Sequence, residues 1–296
     1  MSIHRLFTVL VSVLLLALVF RMSGIENVLR GLAGFPPWAA AGMLALLVAN
    51  LLVVSFRFWR VLAHFGIALP WQVALRANIA GNVGGFFVIS LLGHVMGRQL
   101  VLQRFGVRSV VNSSLAAYER ALLALVSGVL GTLGAIYLLG QSAVAGFFKQ
   151  IALPEIMIAA CAGWALSLWL GRSRFETKLS RRVFSRINLA RVMSIAGLTF
   201  VGQLLMLGCF MLGILAVSQG IPIASLFAAS AVISLAASMP ITVGGWGVRE
   251  VAAVYVLGYL GVPAADALAM SVMTGLCVTV VTAAAAPLCL RELSHA

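Results

Sequence analysis

Acidic residues are scarce: 7 Asp and Glu stand among 296 residues, against 20 Lys and Arg. The chain has no acidic pair of the kind that holds a metal and a nucleotide sugar, and no H-E-x-x-H, G-x-S-x-G or Walker A run. Metal-dependent glycosyl transfer is therefore poorly supported, and no enzymatic activity, resident metal or cofactor is expected. The 4 cysteines (Cys161, Cys209, Cys277, Cys289) all lie in apolar stretches without C-x-x-C or Cys/His spacing. That pattern indicates neither a disulfide framework nor a metal site, and fits small apolar residues turned into a core. Charge of both signs is low at 9% and hydrophobic residues reach 62%, where soluble domains hold roughly 25% charged and 45–50% apolar residues. Such a chain cannot cover a globule with polar surface, and it needs lipid as its solvent.

The basic residues punctuate long apolar runs instead of gathering on one face, which argues against nucleic acid as a partner and for their use in fixing membrane orientation. Placing the N-terminus in the cytoplasm puts Arg57, Arg60, Arg76, Arg98, Arg104, Arg108, the basic loop 172–191 and Arg291 on the inner side, and leaves only Arg21, Arg30 and Lys149 outside. The loop can also rest against anionic headgroups. A spanning helix takes about 20 apolar residues, and six segments fit: 6–24, 38–56, 112–139, 154–171, 192–218 and 265–290. The first lacks the small-x-small cleavage site of a signal peptide and reads as a membrane helix.

Two further apolar stretches are interrupted. Residues 71–97 carry Gly81, Gly84 and Gly85 near the middle, and residues 222–260 carry Pro240, Gly244, Gly245 and Gly247. Since Pro costs about 3 kcal/mol and Gly about 1 in a helix interior, both read as re-entrant broken-helix hairpins. Irregular backbone at membrane depth requires a protein or water-filled surround, so the breaks face an interior site. The whole chain reads as one all-α integral membrane domain, 1–296. Its repeats of opposite topology, 38–139 and 192–290, are joined by helix 154–171 and the loop 172–191, an arrangement common in secondary transporters.

The candidate site residues cluster at these breaks. In the run Ser238 to Glu250, glycines before a helix start leave backbone N–H groups pointing into a cavity, and Arg249 offers bidentate reach to phosphate. Thr242, Gly244, Gly245 and Arg249 thus form a candidate phosphate grip, with Glu250 balancing charge and Trp246 lining or gating the cavity. The bland alternative is that Arg249 and Glu250 pair with charges in the other half and lock the fold. In the first half, His94 and Arg98 share a helix face, followed by Glu119 and Arg120. His94 titrates near neutrality when unperturbed, which opens either proton coupling or a structural hydrogen bond. Glu119 is the best-placed acidic partner for Arg98 or Arg249, or else forms an interfacial pair with Arg120. Trp38, Trp59, Trp71, Trp164 and Trp169 fit an interfacial belt.

The run P-x-x-x-G-G-x-G-x-R-E from Pro240 to Glu250, with Leu260-Gly261-Val262-Pro263 and Ala264 to Ala269, resembles the C-terminal signature of the membrane region of lysylphosphatidylglycerol synthases, the flippase-like integral membrane proteins. The set Gly93-His94 with Arg98, Arg104 to Val107 and Tyr118-Glu119-Arg120 is similar to the first-half signature, although the family usually has an acidic residue where His94 stands and a proline shortly before the glycine. The resemblance covers most of 38–290. It implies translocation of a polar-headed lipid, with family substrates ranging over aminoacylated phospholipids, polyprenyl-phosphate-linked sugars and hopanoid-type lipids. The soluble synthase domain of some members is missing, so aminoacyl transfer is not expected. The expected setting is the bacterial inner membrane and the expected partner a lipid with a phosphate-bearing head. The alternative is an accessory subunit of a glycosyltransferase or cell-envelope assembly, with biosynthetic enzymes as partners.

Overall fold

The computed structural model describes residues 25–87, 90–142, 189–239 and 246–289. Those residues are helical and carry no strand. In chain order the helices are α1 (Ile25–Ala33), α2 (Pro37–His64), α3 (Trp71–Phe87), α4 (Ser90–Leu102), α5 (Ser109–Leu139), α6 (Leu189–Val217), α7 (Ile223–Ser238), α8 (Val248–Tyr259) and α9 (Ala264–Ala285). Prolines mark several starts: Pro36, Pro222 and Pro263 sit at the N-cap positions of α2, α7 and α9, where a missing N–H leaves no helical bond unmade.

Among the described residues, four helices are long and apolar enough to cross a membrane: Pro37–His64, Ser109–Leu139, Ala190–Val217 and Ala264–Cys289. They answer to four of the six expected spans; the other two, 6–24 and 154–171, lie outside the described residues, as does most of the basic loop 172–191. Leu125, Val129, Leu133 and Tyr137 of α5 are each more than half exposed, an apolar face that water would not tolerate and acyl chains would. The first of these spans runs two turns beyond the expected end at residue 56. The extra turns are held by packing, because Phe58, Val61 and Leu62 are fully buried there.

The glycines of the first interrupted stretch do not end its helix: Gly81, Gly84 and Gly85 lie inside α3, which runs on to Phe87, and α4 begins at Ser90. The glycines serve contact: a Cβ on Gly84 would overlap the Gly93 carbonyl oxygen, and a Cβ on Gly97 the Ala80 carbonyl oxygen. Helices α3 and α4 therefore run antiparallel with their backbones touching, the close approach that small residues permit between membrane helices. In the second stretch α7 stops at Ser238, and α8 begins after Gly247, whose φ of 99° suits only glycine.

The same device joins the halves. Helices α2 and α6 lie antiparallel, with Leu212 2.9 Å from a Cβ built on Gly42 and Leu46 3.4 Å from one built on Gly208. Helices α5 and α7 also run antiparallel, Leu235 packing on Gly131 and the Ala228 carbonyl on Gly134. One apolar core is built around Phe58, Leu62, Ala77, Leu102 and Leu115, a second around Phe210, Ile233, Leu257 and Met270, and a seam of Met43, Leu47, Cys209 and Cys277 lies between α2, α6 and α9.

Close backbone contact makes a direct prediction. Gly97→Ala forces α3 and α4 apart and is expected to cost about 1–3 kcal/mol, whereas Gly128→Ala, where a Cβ meets nothing within 4 Å, is expected to be neutral or to gain up to about 1 kcal/mol of helix propensity. Thermal unfolding midpoints of the two purified variants in detergent check this ordering.

Candidate functional site

A cavity of about 370 Å³ lies where the two halves meet. Its first wall comes from α2 to α5: Asn50 and Arg57, then Gly81 and Asn82, then His94 and Arg98, then Glu119 and Arg120. The facing wall comes from α6, α7 and α9, with Thr199 and Gln203, Ser234 and Ser238, and Thr282. His94 and Arg98, Thr199 and Gln203, and Ser234 and Ser238 are each four residues apart, so one face of each of α4, α6 and α7 supplies these polar groups.

The first wall is organised by Glu119. Its carboxylate accepts from Arg57 Nη2 at 3.1 Å through Oε1 and from Arg98 Nη1 through Oε2. Arg98 also donates from Nη2 to Asn78 Oδ1 at 3.0 Å, Asn78 Nδ2 donates to Ser55 Oγ at 2.9 Å, and Ser55 Oγ donates to the Leu51 carbonyl at 2.6 Å. The Arg98 guanidinium further lies 3.8 Å from the centre of the Phe58 ring, a favourable cation–π placement. Arg98 is 1% exposed and Glu119 4%. Charges so enclosed are tolerated only when paired and hydrogen-bonded.

The pairing is incomplete. Three guanidiniums, Arg57, Arg98 and Arg120, stand beside one carboxylate in the described lining, so two positive charges lack a counterion among the described residues. Arg57 Nε and Arg98 Nε have no hydrogen-bond acceptor among the described residues. Arg120 makes no ion pair among the described residues, since Glu119 turns to Arg57 and Arg98. His94 packs in the angle between α3 and α4, its Nδ1 2.8 Å from a Cβ built on Gly81, which is why the α3 position beside it admits glycine.

Arg249 and Glu250 form a separate cluster that does not line the cavity. Glu250 accepts from the Gly247 backbone N–H at 2.6 Å, capping the start of α8, and from Arg249 Nη2 at 2.5 Å and Nε at 3.0 Å. Ser271 of α9 donates to Glu250 at 3.1 Å and accepts from Arg249 Nε at 3.1 Å. Trp246 covers the guanidinium at 4.9 Å, and a Cβ on Gly275 would overlap Arg249 Nη2. The pair is thus made between sequence neighbours and pinned to α9, not across the halves. Thr242, Gly244 and Gly245 lie outside the described residues.

Of the candidates read from sequence, the structure brings Arg98, Glu119, Arg120 and His94 to one cavity and holds Arg249, Glu250 and Trp246 together elsewhere. Sequence reading passed over Arg57, taken as an orientation signal, and the neutral wall of Thr199, Gln203, Ser234, Ser238 and Thr282. The available signal was the four-residue spacing of polar side chains within apolar helices, at 199 and 203 and at 234 and 238.

Glu119→Gln leaves two buried arginines facing each other and is expected to destabilise the protein by about 3–5 kcal/mol, as Arg249→Gln does by stranding Glu250. Arg120→Gln, which breaks no ion pair, is expected to shift stability by less than about 1 kcal/mol. Unfolding midpoints in detergent measure all three.

Comparison of the whole sequence with known families gives a match to the family described as Lysylphosphatidylglycerol synthase TM region, over residues 5–286. No curated protein and no solved structure matches the chain.

Proposed function

The chain belongs to the family of the lysylphosphatidylglycerol synthase TM region, and from that membership and the charge of the cavity we propose that it carries a lipid with an anionic, phosphate-bearing head between the leaflets of the bacterial inner membrane. The observation that carries this reading is the excess of cations: Arg57, Arg98 and Arg120 line one cavity with a single carboxylate between them. An isolated charge at membrane depth costs about 2.5–3.5 kcal/mol on insertion scales and more in a dry site, so a cavity with two unbalanced cations is stabilised by an incoming anion. Arginine presents a planar fork suited to phosphate. In this reading Arg120 supplies the free guanidinium, Arg57 and Arg98 supply charge and their unused Nε–H groups, and His94 and Asn82 complete the donor side.

The remainder follows the architecture of transporters with broken helices. The α3–α4 and α7–α8 pairs act as re-entrant hairpins of two inverted repeats, and rocking α2–α5 against α6–α9 exposes the cavity to each leaflet in turn. The N-terminus lies in the cytoplasm, with 6–24 and 154–171 as the remaining spans. The protein performs no covalent chemistry on its cargo. Arg249, Glu250 and Trp246 hold α8 on α9 and so keep the second hairpin in register.

The test is lipid accessibility in proteoliposomes containing acyl-labelled fluorescent phosphatidylglycerol and an impermeant reductant. Wild-type protein is expected to expose inner-leaflet lipid faster than empty liposomes do, and Arg120→Gln to slow that exposure by about tenfold or more, the loss of roughly 1.4 kcal/mol. Rates equal to those of empty liposomes, with folded protein verified, would reject autonomous flipping and bring forward a role as accessory subunit of an envelope-assembly complex.

A further inference from the structure

The cavity is chemically two-sided, and the two sides select different parts of a headgroup. On the α2–α5 side every ionised group in the described lining but one is a cation. The exception, Glu119, has both oxygens occupied, one by Arg57 and one by Arg98. Glu250, the other deeply buried carboxylate among the described residues, is engaged by Arg249, Ser271 and the Gly247 N–H. No free carboxylate is therefore available in the described lining to receive an ammonium group, and two unbalanced guanidiniums repel one.

The opposite side is uncharged and rich in acceptors. Thr199 donates its hydroxyl proton to the Ile195 carbonyl at 2.8 Å, and Ser238 donates to the Leu235 carbonyl at 2.7 Å. Gln203 donates an amide proton to Ser234 Oγ at 2.9 Å, and Thr282 lines the same side. With their protons already committed to the protein, the Thr199 and Ser238 oxygens keep lone pairs, the complement of hydroxyl donors on a ligand. Donors for an anion on one side and acceptors for hydroxyls on the other describe one kind of head.

Resting on the proposed transport reading, we infer that the cargo head is a phosphate ester of an uncharged polyol, of glycerol or sugar type, and not an aminoacylated lipid bearing an ammonium group. A polar site built for a hydroxyl strongly rejects an analogue without one, because its own groups are left unpaired. The inference thus separates three heads of the same chain length: phosphate alone, phosphate with a polyol, and that polyol esterified with lysine.

The experiment is equilibrium binding to the purified full-length chain in detergent, read by native mass spectrometry and by intrinsic tryptophan fluorescence. The probes are short-chain phosphatidic acid, phosphatidylglycerol and lysyl-phosphatidylglycerol, with soluble glycerol phosphate as the lipid-free arm. Phosphatidylglycerol is expected to bind at least about tenfold more tightly than its lysyl ester and several-fold more tightly than phosphatidic acid. Ser238→Ala and the isosteric Thr199→Val are expected to erase the preference for phosphatidylglycerol over phosphatidic acid while leaving phosphatidic acid affinity in place; the second variant serves if the first fails to fold. Arg120→Gln is expected to weaken all three lipids together. Equal or tighter binding of the lysyl ester, or a polyol preference that survives both Ser238→Ala and Thr199→Val, would overturn the inference and leave lipid transport standing. Tight binding of glycerol phosphate without binding of any lipid would keep the head chemistry and reject lipid as the cargo. Binding of none of the four probes by folded protein would overturn both readings.

Discussion

Glu119 shared between Arg57 and Arg98 is the interaction on which the rest of the structure turns. The three side chains come from α5, α2 and α4, all of them buried, so one carboxylate fastens three helices of the first half. Asn78 and Ser55 extend the bond from Arg98 to the backbone of α2, which fixes the guanidinium in one orientation. Burying ions costs several kcal/mol each before pairing recovers it. A purely apolar packing of the same helices would avoid that cost, so the presence of the cluster beside a cavity points to use of its field and not to stability alone.

That field acts in a small volume. At about 370 Å³ the cavity stands near the lower end of the roughly 300–1,000 Å³ common for ligand sites, enough for a phosphate and a compact head, while acyl chains would remain among the exposed apolar faces of the helices. The glycines set this volume as much as the charges do. Gly81 and Gly85 line the cavity, and Gly84, Gly93 and Gly97 bring α3 and α4 into backbone contact so that His94 and Arg98 project from a narrow support. Larger residues at these positions would widen the hairpin and fill the space that a head needs.

Much of the architecture was legible in the sequence because the bilayer imposes a length and a polarity that few soluble folds share. Helix content and four of the spans follow from apolar run length, and the division around two interrupted stretches follows from their glycines and Pro240. The continuation of α3 through its glycines to Phe87 did not, since glycine weakens an isolated helix but also permits contact between two, and only the partner helix decides which effect prevails. Arg98, Glu119 and Arg120 stood out as charges in apolar surroundings. Arg57 stood at the edge of an apolar run and looked like an orientation signal, and its inward turn depends on where Glu119 sits 62 residues later. Arg249 and Glu250 were conspicuous for the same reason as Arg98, yet they satisfy one another; adjacent opposite charges in sequence do not reveal whether they meet each other or a third group.

The most direct test is where a lipid phosphate touches the protein. A phosphatidylglycerol analogue with a photoreactive group on its head, irradiated with wild-type protein in native-like membranes and mapped by peptide mass spectrometry, is predicted to label the cavity face, at His94, Gln203 or the residues beside them. Labels confined to outward-facing positions such as Leu125, Leu133 and Tyr255, with none in the cavity at saturating probe, would contradict a headgroup site between the two halves.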